Sequence, residues 1–295
     1  MNKITHSTLD IIFYMIAFVV IQLLTNVIFG VVSLWHEGQT WAAIVQALAH
    51  GTMTMPTKML VANMVASSLL TIILFKLYRW APVSRVWLAS HPWTTLAWVG
   101  MLAVGTILPS EWIIEHLPTS MPSATEQLLQ SIMKEPTGYL AVGILGPVAE
   151  EMVFRGAVLR TLLNLFSQKS HWWAILISAV LLGAIHVKTA QFAHALPIGL
   201  LLGWMYYRTG SILPGLLFHW VNNFTWCVLS FAVFVPKVDN IRTTIIISYK
   251  FNKHCYLLVF VIFEKHNQFT TIIESSFHFL TTIEYRIIVH INPTT

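Results

Sequence analysis

Two adjacent glutamates, Glu150 and Glu151, stand in an otherwise apolar stretch of this 295-residue sequence. Ionisable side chains inside an apolar helix are costly and usually functional. Neighbouring helix positions point about 100° apart, so the two carboxylates cannot perform the same task. Glu151 and Arg155 have i,i+4 spacing with the acid on the N-terminal side, the better orientation for an ion pair. Glu150 is left to point elsewhere, which suits a general base that activates water.

Pro147 precedes Glu150 by about one helical turn. Proline has no N–H and clashes with the preceding turn, so it frees a backbone carbonyl and predicts a kink that opens space beside Glu150. An alternative interpretation makes Glu151 and Arg155 a structural ion pair at a helix end, where Arg155 reaches the cytoplasmic interface.

Three further polar residues lie in apolar runs later in the chain. His186 ends the run LLGAIH, where a histidine is either interfacial or catalytic. His219 and Asn223 share one helix face, and both donate hydrogen bonds, as the stabilisation of a developing oxyanion requires. Their alternative role is a polar contact between helices, which is common in membranes. Together with Glu150, these residues supply a base, an orienting group and oxyanion donors from separate helices, the set needed to hydrolyse an amide with water.

The helices that position these residues must lie in lipid. Hydrophobic residues make up 56% of the chain, charged residues 10%, and the mean hydropathy is +0.69. Soluble domains carry about 25% charged residues. We therefore predict an all-α fold, a polytopic transmembrane helix bundle. The net charge of +5 does not indicate nucleic-acid binding, because the basic residues are scattered between apolar runs and form no patch.

A transmembrane helix needs about 20 predominantly apolar residues. By this criterion the sequence predicts about seven to eight spans around an intramembrane polar site. The first apolar run exceeds the about 7–15 residues of a cleaved signal, so we interpret it as a retained span. Lysines and arginines lie in alternate loops, which predicts a cytoplasmic N-terminus. The candidate spans are residues 9–34, 58–77, 94–114, 138–165, 172–190, 193–207 and 212–234.

Composition divides the chain into three parts. We interpret residues 1–93 as N-terminal transmembrane helices, 94–235 as the core that carries the polar residues, and 236–295 as a divergent tail of a different character. All 14 glycines, 12 tryptophans and 11 methionines precede residue 236. This change favours a divergent or frame-shifted extension outside the functional core.

Three motifs, in this order, resemble those of the CPBP family, the CAAX proteases and bacteriocin-processing enzymes also called the ABI family. The first, EExxxR, is intact from Glu150 to Arg155. The second, FxxxH, runs from Leu182 to His186, with leucine where the family commonly has phenylalanine. The third, HxxxN, is intact from His219 to Asn223. The resemblance covers residues 94–235 and does not extend into the tail.

The resemblance implies an intramembrane endopeptidase. By analogy with the family, Glu150 and His186 would activate the attacking water, and His219 and Asn223 would stabilise the tetrahedral oxyanion. Family members act on prenylated CAAX proteins or on bacteriocin leader peptides. The expected partners are therefore membrane lipid and a peptide or lipidated protein substrate, with no nucleic acid. The expected location is the bacterial inner membrane.

In the same scheme Glu151 and Arg155 would support the site. No cofactor or metal is expected, because a histidine and an asparagine on one face suit oxyanion binding. The alternative is a zinc site formed by Glu150, His186 and His219, a set of two histidines and one carboxylate. Two other functions stay open: a catalytically inactive immunity or scaffold protein of the same fold, and a transporter or proton relay. The lack of an internal sequence repeat speaks against a transporter.

Overall fold

The computed structural model describes residues 3–82, 86–107, 110, 123–186 and 189–232. Every regular element in these residues is a helix, which confirms the predicted all-α class. The helices before the glutamates are, within these residues, α1 (Lys3–His36), α2 (Trp41–His50), α3 (Thr57–Leu77), α4 (Val86–Ala89), α5 (Trp93–Gly105) and α6 (Ser123–Lys134). A long composite helix, α7, spans residues 140–165 and is followed by α8 (His171–Ala184), α9 (Thr189–Thr209) and α10 (Leu213–Ala232).

The described helices overlap every candidate span. Two of them, α1 and α3, are long and apolar enough to cross a membrane. The remaining candidate spans coincide with α5 and with α7 to α10, which do not reach that standard within the described residues. The tail, residues 236–295, lies outside the described part of the chain.

Helix α7 changes its winding along its length. Two stretches are π-helix, whose i→i+5 hydrogen bonds make a wider turn than those of the α-helix. Such stretches are rare and frequently mark functional sites. Glu150 ends an α-helical stretch and Glu151 begins a π-helical one, so the glutamates stand at a change in winding. In order, the segments are Leu140–Leu145 (π), Gly146–Glu150 (α), Glu151–Leu159 (π) and Arg160–Leu165 (α).

Pro147 leaves one carbonyl of α7 without its helical partner. The N–H of Gly146 donates to the carbonyl of Ala141, five residues earlier. In that register the next carbonyl, that of Val142, faces Pro147, which has no N–H to give. A buried carbonyl needs a donor from elsewhere, and in this fold the donor comes from α10.

The second π-helical stretch of α7 is enclosed by other elements. All of its residues are buried. Ser178 of α8 donates a hydrogen bond of 2.9 Å to the carbonyl of Phe154, and the Phe154 ring packs edge-on against Phe18 of α1. Gly156 lies directly against Ala81, which follows α3, and a larger residue would clash there. The surrounding helices therefore hold this part of α7, and the charged residues in it, inside the bundle.

Helices α8 and α9 approach closely because glycines of α9 face α8. Gly199 lies against Ala179, and Gly203 lies against Ile175. The two pairs run in opposite directions along the chain, so the helices are antiparallel. Such contacts through small residues are typical of helices that associate in membranes. The packing brings the C-terminal end of α8, with His186 just beyond it, beside the start of α9.

Candidate active site

Glu151 and Arg155 form the ion pair that the sequence predicts. Arg155 Nη1 lies 2.9 Å from Glu151 Oε1, and both side chains are 1% exposed. The atoms are close but poorly aligned for a hydrogen bond, so the contact is chiefly electrostatic. Arg155 Nη2 also donates to the carbonyl of Gly199 in α9, at 3.2 Å. The pair is therefore buried between α7 and α9, and not at a helix end as the alternative interpretation has it.

His219 of α10 approaches the same carboxylate. Its Nδ1 lies 3.8 Å from Glu151 Oε1, and its side chain is 14% exposed. This distance exceeds that of a hydrogen bond, and Nδ1 has no hydrogen-bond partner in the described part of the chain. Glu151 thus stands between the guanidinium of Arg155 and the imidazole of His219.

Glu150 has a different set of neighbours. It is half-buried and interacts electrostatically with His186 most strongly and with Arg155 next. His186 Nδ1 lies 3.0 Å from the carbonyl oxygen of Leu182. Because a carbonyl only accepts, Nδ1 carries the proton, and in the neutral ring Nε2 is left as an acceptor. His186 can therefore accept a hydrogen bond from water on the side away from its own helix.

Asn223 supplies the donor that the freed carbonyl in α7 requires. Its Nδ2 donates to the carbonyl of Val142 at 3.3 Å. The amide group has two N–H donors, so one remains for another acceptor. The preceding residue, Asn222, is buried and faces α5, where it donates to the carbonyl of Ala103 and to Thr106. Of the two adjacent asparagines, Asn223 is therefore the one on the α7 side.

The structure brings the predicted residues together in two groups. Glu150 interacts with His186, and Glu151 with Arg155 and His219. The groups are electrostatically connected, because His219 also interacts with Arg155 and with His186.

The motifs do not include a third histidine that belongs to this cluster. His194 of α9 interacts electrostatically with both His186 and His219. Its Nδ1 is buried and has no hydrogen-bond partner among the described residues. In sequence His194 is a lone histidine in an apolar run, so only the antiparallel packing of α8 and α9 reveals it.

The zinc alternative names Glu150, His186 and His219 as ligands. Within the described residues, no group of three His, Cys, Asp or Glu side chains is placed to hold one metal ion. The expectation of a metal-free mechanism stays a prediction. The zinc alternative likewise stays a prediction.

An apolar cleft of about 470 Å³ lies beside the polar cluster. It is lined by Pro147 and Val148 of α7, by Leu216 and Trp220 of α10, and by side chains of α4 and α5. Trp220 follows His219 in sequence, and Pro147 lies about one turn before Glu150, on the same side of α7. The cleft is thus lined by sequence neighbours of the site residues, while Glu150 and His219 themselves do not line it.

Comparisons with known proteins agree with this arrangement. Residues 133–225, which contain all three motifs, match the family described as type II CAAX prenyl endopeptidase Rce1-like. This match bears out the resemblance to the CPBP family over the segment that carries the polar residues.

A curated relative points to the same class. A protein of Bacillus subtilis (strain 168) named "Putative membrane peptidase YdiL" is 25% identical over 118 residues, which cover 40% of this chain and 44% of that protein. The chain thus matches less than half the length of this relative. No solved structure matches the chain.

Proposed function

We propose that the chain is an intramembrane endopeptidase that hydrolyses a peptide bond with Glu150 as the water-activating base. The observation that carries this proposal is the cluster of buried and half-buried carboxylates and imidazoles contributed by α7, by the end of α8 and by α10. Buried ionisable groups in an apolar bundle are costly, and a purely structural role would need only the Glu151–Arg155 pair. The match to CAAX prenyl endopeptidases supports the same reaction.

In the proposed mechanism, Glu150 and His186 activate the water, and His219 and Asn223 stabilise the oxyanion. Water donates one proton to Glu150 and a hydrogen bond to His186 Nε2, and its oxygen attacks the peptide carbonyl carbon. The oxyanion that develops accepts hydrogen bonds from His219 and from the free amide N–H of Asn223. When the C–N bond breaks, Glu150 returns its proton to the leaving amine. Water and the peptide bond are thereby converted into a carboxylate and an amine.

The proposed membrane arrangement is a bundle of about seven to eight spans with an intramembrane polar site and a cytoplasmic N-terminus. Helices α1 and α3 support it by their length and apolarity. The basic residues in alternate loops support the orientation. The bacterial inner membrane is the proposed location.

The proposed substrate is a membrane-associated protein with a prenyl group or a leader peptide near the scissile bond. The apolar cleft supports an apolar group in the substrate, because its lining includes Pro147 and Trp220, which lie near Glu150 and His219 in sequence. A catalytically inactive immunity or scaffold protein of the same fold is the second candidate. The abrupt change in composition after residue 235 favours it, since a displaced final span could leave an inactive protein.

The experiment that tests the proposal offers purified protein in lipid three fluorogenic peptides: a prenylated CAAX peptide, the same peptide without its prenyl group, and a leader peptide. We expect cleavage of one of them, with a single new carboxyl terminus found by mass spectrometry. Activity that a chelator removes and zinc restores would replace the metal-free mechanism. Intact peptides in every case would favour the scaffold.

A further inference from the structure

Gly215 of α10 lies against the carboxylate of Glu151. The three atoms nearest to a Cβ at this position would all belong to that one side chain: it would lie 2.9 Å from Cδ and closer still to Oε2. Glycines that merely allow two helices to pack have other neighbours. Gly203 faces the Ile175 side chain, and Gly199 faces Ala179. The group that lies nearest to Gly215 is therefore a carboxylate, whereas Gly199 and Gly203 lie nearest to apolar side chains.

On the side that faces Gly215, the Glu151 carboxylate forms no hydrogen bond with the described residues. Glu151 is 1% exposed, and Oε2 has no hydrogen-bond partner among the described residues. Oε1 points towards Arg155 at 2.9 Å and towards His219 Nδ1 at 3.8 Å. A side chain at position 215 would push the carboxylate out of this place.

Gly215, His219 and Asn223 follow one another at i,i+4 spacing, so they form one face of α10. All three meet α7: the first two at Glu151, and the third at the carbonyl of Val142. These contacts run antiparallel along the two helices. A displacement of Glu151 would therefore act on the ring of His219 without separating α10 from α7 at Asn223.

We propose that Gly215 is a positioning residue: by lacking a side chain, it lets the Glu151 carboxylate hold the Nδ1 edge of His219 and turn Nε2 towards the substrate. At 3.8 Å the contact is electrostatic rather than a hydrogen bond. The carboxylate orients the ring and stabilises the doubly protonated imidazolium, whose Nε2–H donates to the oxyanion, the role that such groups have beside catalytic histidines elsewhere. Arg155, tied to the carbonyl of Gly199, prevents the carboxylate from swinging away. The inference deepens the proposed function and rests on it.

The test compares four variants with the wild-type protein, one of which is Glu151→Asp alone. Gly215→Ala introduces the Cβ. Gly100→Ala is the matched control, because Gly100 also lies inside a helix and a Cβ there meets nothing within 4 Å. Gly215→Ala combined with Glu151→Asp draws the carboxylate back by one methylene group and makes room for the Cβ. Each protein is examined by peptide-cleavage kinetics and by nitrogen NMR of labelled histidine, with His219→Asn identifying the His219 signals.

We expect Gly215→Ala to lower kcat by about a hundredfold, the scale of a catalytic group misplaced by about 1 Å, with KM little changed. We expect its His219 signals to move away from those of a ring protonated at both nitrogens and towards those of a neutral ring. Gly100→Ala should resemble the wild-type protein in both measurements. The double variant, Gly215→Ala with Glu151→Asp, should regain part of the kcat that Gly215→Ala loses.

Wild-type kcat and unshifted His219 signals in Gly215→Ala would overturn the inference. If Gly215→Ala does not fold, unchanged His219 signals in Glu151→Asp alone would overturn it equally. The NMR result separates this inference from the proposed function: shifted His219 signals in a protein that cleaves no peptide would support the positioning role and contradict the protease.

Discussion

At the scale of single residues, Glu150 and Glu151 are neighbours in sequence with different partners in space. The pairing of Glu151 with Arg155 could be predicted because it lies within one helical turn. The approach of His219 to Glu151 could not, since it depends on how α10 packs on α7. His194 and Gly215 were missed for the same reason. A weak signal existed for Gly215, which precedes His219 by the spacing that separates His219 from Asn223.

The buried ion pair predicts a specific effect on stability. Arg155→Met leaves the Glu151 carboxylate buried without its cation, so we expect the free energy of unfolding to fall by about 3–5 kcal/mol. The double variant with Glu151→Gln should lose less, because no uncompensated charge remains. Unfolding in mixed micelles measures both. Arg208→Met, at an exposed arginine, is the control, and equal stability of the two methionine variants would contradict the account.

The two adjacent asparagines should separate catalysis from stability. Asn223→Ala removes a proposed oxyanion donor, so we expect kcat to fall by about 10²–10³-fold. Asn222→Ala loses its bonds to Ala103 of α5 and to Thr106, which directly follows α5. We therefore expect it to keep its kcat and to lose about 1–3 kcal/mol of stability. Kinetics and thermal unfolding of both variants test this. A fall in kcat for Asn222→Ala, with an unchanged kcat for Asn223→Ala, would contradict the assignment of Asn223 as the oxyanion donor.

At the scale of elements, hydrophobic runs located the helices but not their winding. Apolar residues make the same run in an α-helix and a π-helix, so the two π-helical stretches of α7 left no sign in composition. Pro147 was the one local signal, because its missing N–H disturbs the helix wherever it stands. The partner of the freed carbonyl, Asn223, could not be predicted since it comes from another helix.

Replacing Pro147 tests whether this irregularity serves the site. Pro147→Ala supplies an N–H for the carbonyl of Val142, which then competes with Asn223. We expect the protein to become more stable, by up to about 3 kcal/mol, and kcat to fall by about tenfold, equivalent to about 1.4 kcal/mol. Thermal unfolding and kinetics measure the two effects. Pro56→Ala, at the N-terminal end of α3, should change neither, and an unchanged kcat in Pro147→Ala would show that the kink is incidental.

At the scale of the whole molecule, composition predicted a membrane protein, because so few charged residues cannot cover a soluble fold of this length. The apolar runs of about 20 residues then predicted that its elements are helices. The number of spans is harder to predict from composition. Within the described residues α1 and α3 meet the length and apolarity that a span requires, whereas α8 is short and the helices around the site carry polar residues. The polar residues that build the site lower the mean hydropathy of the helices that carry them, so those helices are harder to identify as spans.

The division of the chain into a core and a tail gives a prediction at the same scale. A chain that stops after residue 235 retains all three motifs and every described helix. We expect it to insert into membranes and to cleave peptide at the rate of the full chain. Membrane fractionation and the cleavage assay measure this. Loss of membrane insertion or of activity on truncation would assign the tail a part in the functional fold.

The most direct test of the central claim is the kcat of Glu150→Gln on a peptide that the wild-type protein cleaves. Glutamine preserves the shape of the side chain and removes its ability to take a proton from water. Glu37→Gln, at an exposed glutamate after α1, is the matched control. Glu150 as general base predicts a fall in kcat of about 10²–10⁴-fold in Glu150→Gln and no change in Glu37→Gln. Equal kcat values for the two variants would contradict it.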